Sequence, residues 1–255
     1  MDLGFIGTGG ITEAIVTGLF NCAGHDEPIL VSARGRARSQ RLAVTFDLIE
    51  VVEHNQEIVD RCDWVVVSVL PEQTLDVLSK LRFHQHHHII SLSAGITLET
   101  LRPLIFPAVR ICRAIPMPPI EFGLGPTPVC PPDPETEAFF NRVGTAVAVD
   151  NEKQFSALAA SSAVMATFFT WVASNARWLE SKNVPAKESA LYTTSVFHAL
   201  ATMTTRTDAQ GLQAMSEQCL TPGGLNEQVL EGVRKACSIE HIQAEIERVM
   251  LRLES

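Results

Sequence analysis

Leu3-Gly4-Phe5-Ile6-Gly7-Thr8-Gly9-Gly10-Ile11-Thr12-Glu13-Ala14 decides the fold. The stretch opens as a short apolar run, passes through Gly7, Gly9 and Gly10, and enters a segment with helical spacing from Ile11 to Phe20. Gly7 permits a tight turn after a strand, and Gly9 lets the backbone come close to a ligand. The helix start then offers free N–H groups and the positive end of its dipole. A pyrophosphate needs these features together, so Gly7, Thr8, Gly9, Gly10 and Ile11 are read as a dinucleotide-binding turn. The third position of the pattern is Thr12, where Gly or Ala is usual. The alternative is an ordinary glycine-rich strand-to-helix turn.

Outward from this turn the chain alternates. Strand-like runs are expected at Leu3 to Ile6, Ile29 to Val31, Trp64 to Val69, Ile89 to Leu92, Val109 to Cys112 and Ala146 to Val149. Helix-like stretches lie at Arg36 to Phe46, Glu72 to Leu81 and Thr97 to Leu104. That rhythm predicts an α/β fold with a parallel sheet and helices on both faces. Prolines crowd Pro116 to Pro134, read as an irregular crossing segment. After Asp150 the sequence turns helical, with breaks expected near Asn183-Val184-Pro185, Thr207-Asp208 and Thr221-Pro222-Gly223-Gly224. The expected domains are therefore 1–150, binding the dinucleotide, and 151–255, all helical.

Composition narrows the function classes. The chain has 255 residues, 46% of them hydrophobic, and a net charge of −9. It can build a core, and it is a poor match for a polyanion such as nucleic acid. Its six cysteines are scattered without a C-x-x-C pair and are read as free thiols of a reducing compartment. The opening Met1-Asp2-Leu3-Gly4 lacks the basic region of a signal peptide. Residues 154–176 carry no charge, long enough to span a bilayer, but hold serines, threonines, Gln154 and Asn175. A buried helix in a soluble core or an oligomer interface is the expectation, with no membrane partner and a cytoplasmic location. His84-Gln85-His86-His87-His88 is read as a surface turn, and no metal is expected. Asp47, Glu50, Glu53 and Glu57 are read as charge on a solvated edge, and His198, within its apolar helix, as packed or hydrogen-bonded rather than catalytic.

Two further stretches bear on ligands. From Val31 to Phe46 there is no acid, while Ser32, Arg34, Arg36 and Arg38 offer hydroxyl and guanidinium donors. An acid here would bind the ribose hydroxyls of NAD, whereas these donors suit a 2′-phosphate. NADP(H) is the expected cofactor, with NAD(H) the alternative. The other stretch is Leu220-Thr221-Pro222-Gly223-Gly224-Leu225-Asn226-Glu227, where Pro-Gly-Gly breaks one helix and starts the next. Consecutive N–H groups there suit a carboxylate; a plain interhelical turn is the alternative.

The two glycine motifs make the chain resemble the pyrroline-5-carboxylate reductase family over nearly its whole length. Val69-Leu70-Pro71-Glu72 resembles that family's Val-Lys-Pro-Gln, with Leu70 for Lys. Ser91-Leu92-Ser93-Ala94-Gly95-Ile96 is similar to its Ser-x-x-Ala-Gly-x, and Arg113-Ala114-Ile115-Pro116 to the start of Arg-x-Met-Pro-Asn-Thr-Pro. Thr221-Pro222-Gly223-Gly224 resembles Ser-Pro-Gly-Gly. The resemblance implies a Rossmann-type dinucleotide-binding domain followed by an all-α dimerisation domain, in a homodimer or larger homo-oligomer. It implies NAD(P)H-dependent reduction of the cyclic imine Δ1-pyrroline-5-carboxylate, an imino acid, to proline. Val69, Leu70, Pro71, Ala94 and Gly95 then join the cofactor site. Thr221, Gly223, Gly224 and Asn226 hold the substrate, with Asn226 orienting the imine. Met117-Pro118-Pro119 stands in place of Asn-Thr-Pro, Ser162 to Ala166 in place of Gly-Ser-Gly-Pro-Ala, and Asn226 in place of Thr. These departures leave open another cyclic imine or small carbonyl acid as substrate, or a nucleotide-binding paralogue without catalysis.

Overall fold

The computed structural model describes residues 2–254. The chain divides into two compact units. One runs to Ala160 and includes the chain end from Met250; the other is Ser161–Val249.

The first unit is an eight-stranded sheet with helices. Its elements are β1 (Leu3–Ile6), α1 (Gly10–Cys22), β2 (Ile29–Ser32), α2 (Arg36–Thr45), β3 (Ile49–Val52), α3 (Asn55–Arg61), β4 (Trp64–Val67) and α4 (Pro71–Leu78). There follow β5 (His88–Ser91), α5 (Leu98–Ile105), β6 (Arg110–Ala114), β7 (Pro126–Cys130), α6 (Pro134–Asn141), β8 (Thr145–Ala148) and α7 (Glu152–Ser161). The strand order is β3-β2-β1-β4-β5-β6-β7-β8. Neighbours pair in parallel except β6 with β7. Successive residues of a strand face opposite sides, and both sides are covered. Phe5, Val66 and Ile90 pack with Ile15, Leu19 and Phe140 on one face. Ile6, Val65, Val67 and Ile89 pack with Ile58, Leu78 and Leu101 on the other. The unbroken apolar run of β4 follows from this double burial.

Three expectations are corrected. β3 lies at the sheet edge, where Glu50 faces outward and meets Arg61 through two contacts of 2.6 Å; its acid broke the apolar run that marks a strand. The proline-rich window is not irregular throughout. A 3-10 turn at Pro118–Phe122 buries Ile120, and β7 follows. Pro128 cannot donate to the ladder, but its carbonyl accepts from the Ile115 N–H at 3.3 Å. The third correction concerns the histidine tract, since His87 and His88 are buried. His88 Nε2 lies 2.8 Å from Thr136 Oγ1 and its ring rests on Trp64, with centroids 4.0 Å apart.

His88, Cys112 and Asp133 bring potential ligand atoms within 4.8 Å of one another. Their chemistry does not fit a cation. Arg110 grips the Asp133 carboxylate with two bonds of 2.9 Å, and the Thr136 N–H donates to it at 2.8 Å. Burial pushes the Cys112 thiol up to about 11, so it stays protonated.

The second unit holds α8 (Met165–Glu180), α9 (Ala186–Thr204), α10 (Ala209–Gln218), α11 (Leu225–Lys235) and most of α12 (Ser238–Glu254). The three expected helix breaks are present. α8 meets α9 through Trp171 and Phe168, whose rings lie 4.8 Å and 5.6 Å from that of Phe197. The uncharged run is interrupted by a 3-10 turn at Ser162–Val164. Its α7 part buries Phe155 and Ala160, but its α8 part is not buried within the chain: Phe169 and Trp171 are 59% and 62% exposed. By length and composition, Glu152–Glu180 could cross a membrane. His198, expected to be packed or hydrogen-bonded, is exposed and so not packed. Among the described cysteines, Cys62, Cys112 and Cys130 are buried free thiols, and Cys22, Cys219 and Cys237 are exposed ones.

Burial, reinforced by Arg110, holds the His88 imidazole down at about 4 against an ordinary 6.5. The unfolded chain therefore takes up this proton first as pH falls. Stability is full above pH ~6.5 and declines toward pH ~4, by roughly 3 kcal/mol in total from this group. Urea midpoints measured between pH 7 and 5 should fall, and His88→Gln should flatten that slope. An equal slope in the variant would assign the loss to other groups.

Candidate functional site

The strand order reverses direction at β1, which sits between β2 and β4. At such a switch point the loops beyond the carboxyl ends of the strands diverge and leave a crevice. A cleft lies there, built from the turn after β1 (Gly7 to Ile11), Arg34, Gly35 and Arg38 after β2, Ser68 to Pro71 after β4, and Leu92 and Ala94 after β5. Most of the expected cofactor residues therefore converge on one place.

Gly7 has φ +98, and a Cβ on it would overlap the Ser68 carbonyl. Gly9 and Gly10 meet the opposite condition, because a Cβ on either would enter open space. The turn is thus tight beneath and bare above, which fits a diphosphate resting on the α1 N-terminus. Thr12 is buried, and its hydroxyl lies 2.8 Å from both the Gly7 carbonyl and Ser68 Oγ. It ties the first turn of α1 to β1 and β4 by hydrogen bonding, where a small residue would do so by close packing.

Two expected residues do other work. Ser32 is buried; its Oγ accepts the Gly7 N–H at 2.9 Å, and its carbonyl accepts the Thr8 hydroxyl at 2.6 Å. It shapes the turn and is not presented to the cleft. Arg36 lies outside the cleft lining and faces Glu53 at 3.7 Å. Arg38 lines the cleft, yet its Nε lies 3.3 Å from Glu13, which also holds Arg41 through contacts of 2.8 to 3.1 Å. Arg34 lines the cleft with no ion pair among the described residues. Gly95 stands just beyond the lining, with φ +74. Val69, Leu70, Pro71 and Ala94 supply an apolar wall.

Sequence reading missed a buried strut beside this region. Arg113 on β6 is 4% exposed, donates to Glu152 at 2.6 Å and lies over the Phe155 ring at 4.6 Å. Glu152 also accepts the Leu98 N–H at 2.9 Å, so one carboxylate joins β6, α5 and α7. An arginine inside an apolar strand is the only sequence sign of this partnership.

The Pro-Gly-Gly loop lies in the second unit. Its Gly224 N–H donates to the Thr221 carbonyl at 2.7 Å, and its Gly223 N–H to Glu227 Oε2 at 2.6 Å. Asn226 Nδ2 donates to the Cys219 carbonyl at 3.2 Å.

Comparison with known proteins follows the same division. A family model described as NADP oxidoreductase, coenzyme F420-dependent, matches residues 2–95, which span β1 to β5. A pyrroline-5-carboxylate reductase of Haemophilus influenzae is 26% identical over 258 residues, covering 97% of this chain and 93% of the relative. The chain is thus similar to pyrroline-5-carboxylate reductases over nearly its whole length. Among solved structures, the enzyme of that name from Streptococcus pyogenes aligns with TM-score 0.85 at 20% identity, covering 100% of this chain and 98% of the other. A Plasmodium falciparum pyrroline carboxylate reductase with NADP bound aligns with TM-score 0.86 at 18% identity, covering 100% and 97%. The reductase-like fold thus extends through both units, beyond the reach of the family model.

Replacing Thr12 with Val keeps its shape and removes its hydroxyl. Leaving the buried Gly7 carbonyl and Ser68 hydroxyl without this partner should cost ~1–3 kcal/mol in urea unfolding. Unchanged stability would show that the hydroxyl does not hold the turn.

Proposed function

We propose that this chain reduces Δ1-pyrroline-5-carboxylate to proline, with NADPH as its preferred reductant. The cofactor is NAD(P)H. The observation that carries the reading is the switch-point cleft, with Gly9 and Gly10 bare toward it and Arg34 on its rim. When bound, the reduced nicotinamide supplies the hydride. The N–H groups at the start of α1 would hold the pyrophosphate, and Arg34 would hold a 2′-phosphate by charge-assisted bonds. The apolar wall of Val69, Leu70, Pro71 and Ala94 would exclude water from the bound cofactor.

The protein has little proton chemistry to perform. A protonated cyclic imine is already electrophilic, so the chain must chiefly bind and orient it. Thr221, Gly223 and Gly224 are assigned to the substrate carboxylate. Asn226 orients the imine: with its Nδ2 given to the Cys219 carbonyl, its amide oxygen accepts from an iminium N–H. Met117-Pro118-Pro119 and Asn226 favour, as a second reading, a related cyclic imine or small carbonyl acid. NADPH consumption with pyrroline-5-carboxylate against a panel of such imines separates the two. Binding of NADPH with no turnover on any of them would leave a paralogue that has lost catalysis.

The assembly assigned to this enzyme is a cytoplasmic homodimer or larger ring joined through the helical unit. The exposed Phe169, Trp171 and Trp178 of α8 support it, because large apolar patches on a soluble chain mark contact surfaces. Sedimentation at micromolar concentration should show no stable monomer; a monodisperse monomer would refute the arrangement.

Arg34→Ala should raise KM for NADPH by roughly tenfold, the worth of one charge-assisted bond, and change KM for NADH little. Arg36→Ala should change both by less than about twofold, because exposed ion pairs contribute little. Equal effects of Arg34→Ala on the two cofactors would remove the 2′-phosphate assignment.

A further inference from the structure

The Pro-Gly-Gly loop already holds a carboxylate, and the carboxylate is the chain's own. Gly223 has φ +73, which turns its N–H toward α11, and Glu227 Oε2 accepts it at 2.6 Å. An ordinary capping box would return the acid at the third helical position to the N-cap residue, here Gly224. The Gly224 N–H is instead given to the Thr221 carbonyl, and Glu227 reaches one residue further back. No cation pairs with Glu227 among the described residues. The loop N–H is therefore the partner shown for this acid.

We infer that Glu227 is a specificity-determining residue: its carboxylate occupies the seat on the Gly223 N–H that a substrate carboxylate would take. This rests on the reading of the loop as the substrate's anion site. The two carboxylates cannot share one N–H donor, and placing them side by side adds like-charge repulsion. An incoming carboxylate must displace Glu227, which swings away on its own side-chain torsions without movement of the loop. Glu227 thereby reduces the advantage that a carboxylate-bearing imine has over one lacking it. The sequence showed the glycines, but it could not show that an acid four residues after Gly223 folds back onto its N–H.

The test compares the wild-type chain with Glu227→Ala and Glu227→Gln. The substrates are pyrroline-5-carboxylate and 1-pyrroline, which lacks the carboxylate. The ratio of kcat/KM for the first to that for the second should rise by roughly tenfold in Glu227→Ala, one charge-assisted hydrogen bond being at stake. Glu227→Gln keeps an acceptor oxygen and loses the charge, so its ratio should fall between the other two. An unchanged ratio in both variants would overturn the inference. L-proline titrated against the NADP-bound chain, followed at the Gly223 amide by NMR, gives a readout that needs no turnover. Tighter binding in Glu227→Ala supports the inference, and equal or absent binding in both chains overturns it. Failure on both imines, with proline binding still tightened, would count against the proposed reaction alone. Circular dichroism of Glu227→Gln checks that α11 stays folded.

Discussion

Gly7 has no room for a side chain. Its φ of +98 and the Ser68 carbonyl beneath it leave glycine as the only residue that lets β1 turn at once into α1. The neighbouring contacts depend on that turn. Ser32 grips its N–H from β2, and Thr12 spans its carbonyl and Ser68 from the first turn of α1. β1 is thus clamped between its two sheet partners at the level where the strands end. The clamp also fixes where Gly9 and Gly10 point, and their bareness toward the cleft gives a ligand access to the helix N-terminus. A looser turn would still make a sheet, but it would not hold that row of N–H groups at one height.

Much of this was legible because burial leaves a pattern. β1, β2, β4 and β5 are covered on both faces, so their residues are apolar without alternation, and their positions follow from sequence. The helix breaks were equally plain, since Pro-Gly-Gly and Asn-Val-Pro interrupt any helical period. What could not be read depended on partners distant in the chain. β3 hid behind Glu50, whose tolerance at a sheet edge rests on Arg61. β7 hid behind its prolines, of which Pro128 is acceptable because its carbonyl still accepts the Ile115 N–H beside β6. His88 looked like part of a polar surface run, and only Trp64 and Thr136 explain its burial.

The arginines show the same limit in electrostatic form. A stretch with Arg34, Arg36, Arg38 and Arg41 and no acid looks like a field of free positive charge. Folding brings Glu13 from α1 and Glu53 from beyond β3 to three of them. Charge counted along the chain overstates what a ligand meets, because solvent-exposed pairs cancel much of each other's field. The cation that keeps its charge for a guest is the one that leads out of β2 before the helix begins.

The two glycine loops solve one problem in opposite ways. Both place backbone N–H groups at a helix start, where the dipole favours an anion. After β1 the donors are left open, and the turn is held by side chains packed beneath it. Before α11 the side-chain brace shown among the described residues is the Asn226 bond to the Cys219 carbonyl, and the helix is anchored by spending the same donors on Thr221 and Glu227. A loop braced from below can keep its N–H groups for a ligand at no cost to its own stability. A loop that caps itself must give up a contact each time a ligand arrives, so affinity there is always a difference between two carboxylates. That difference, set by a single side chain on α11, is where selectivity among otherwise similar imines can change without any alteration of the fold.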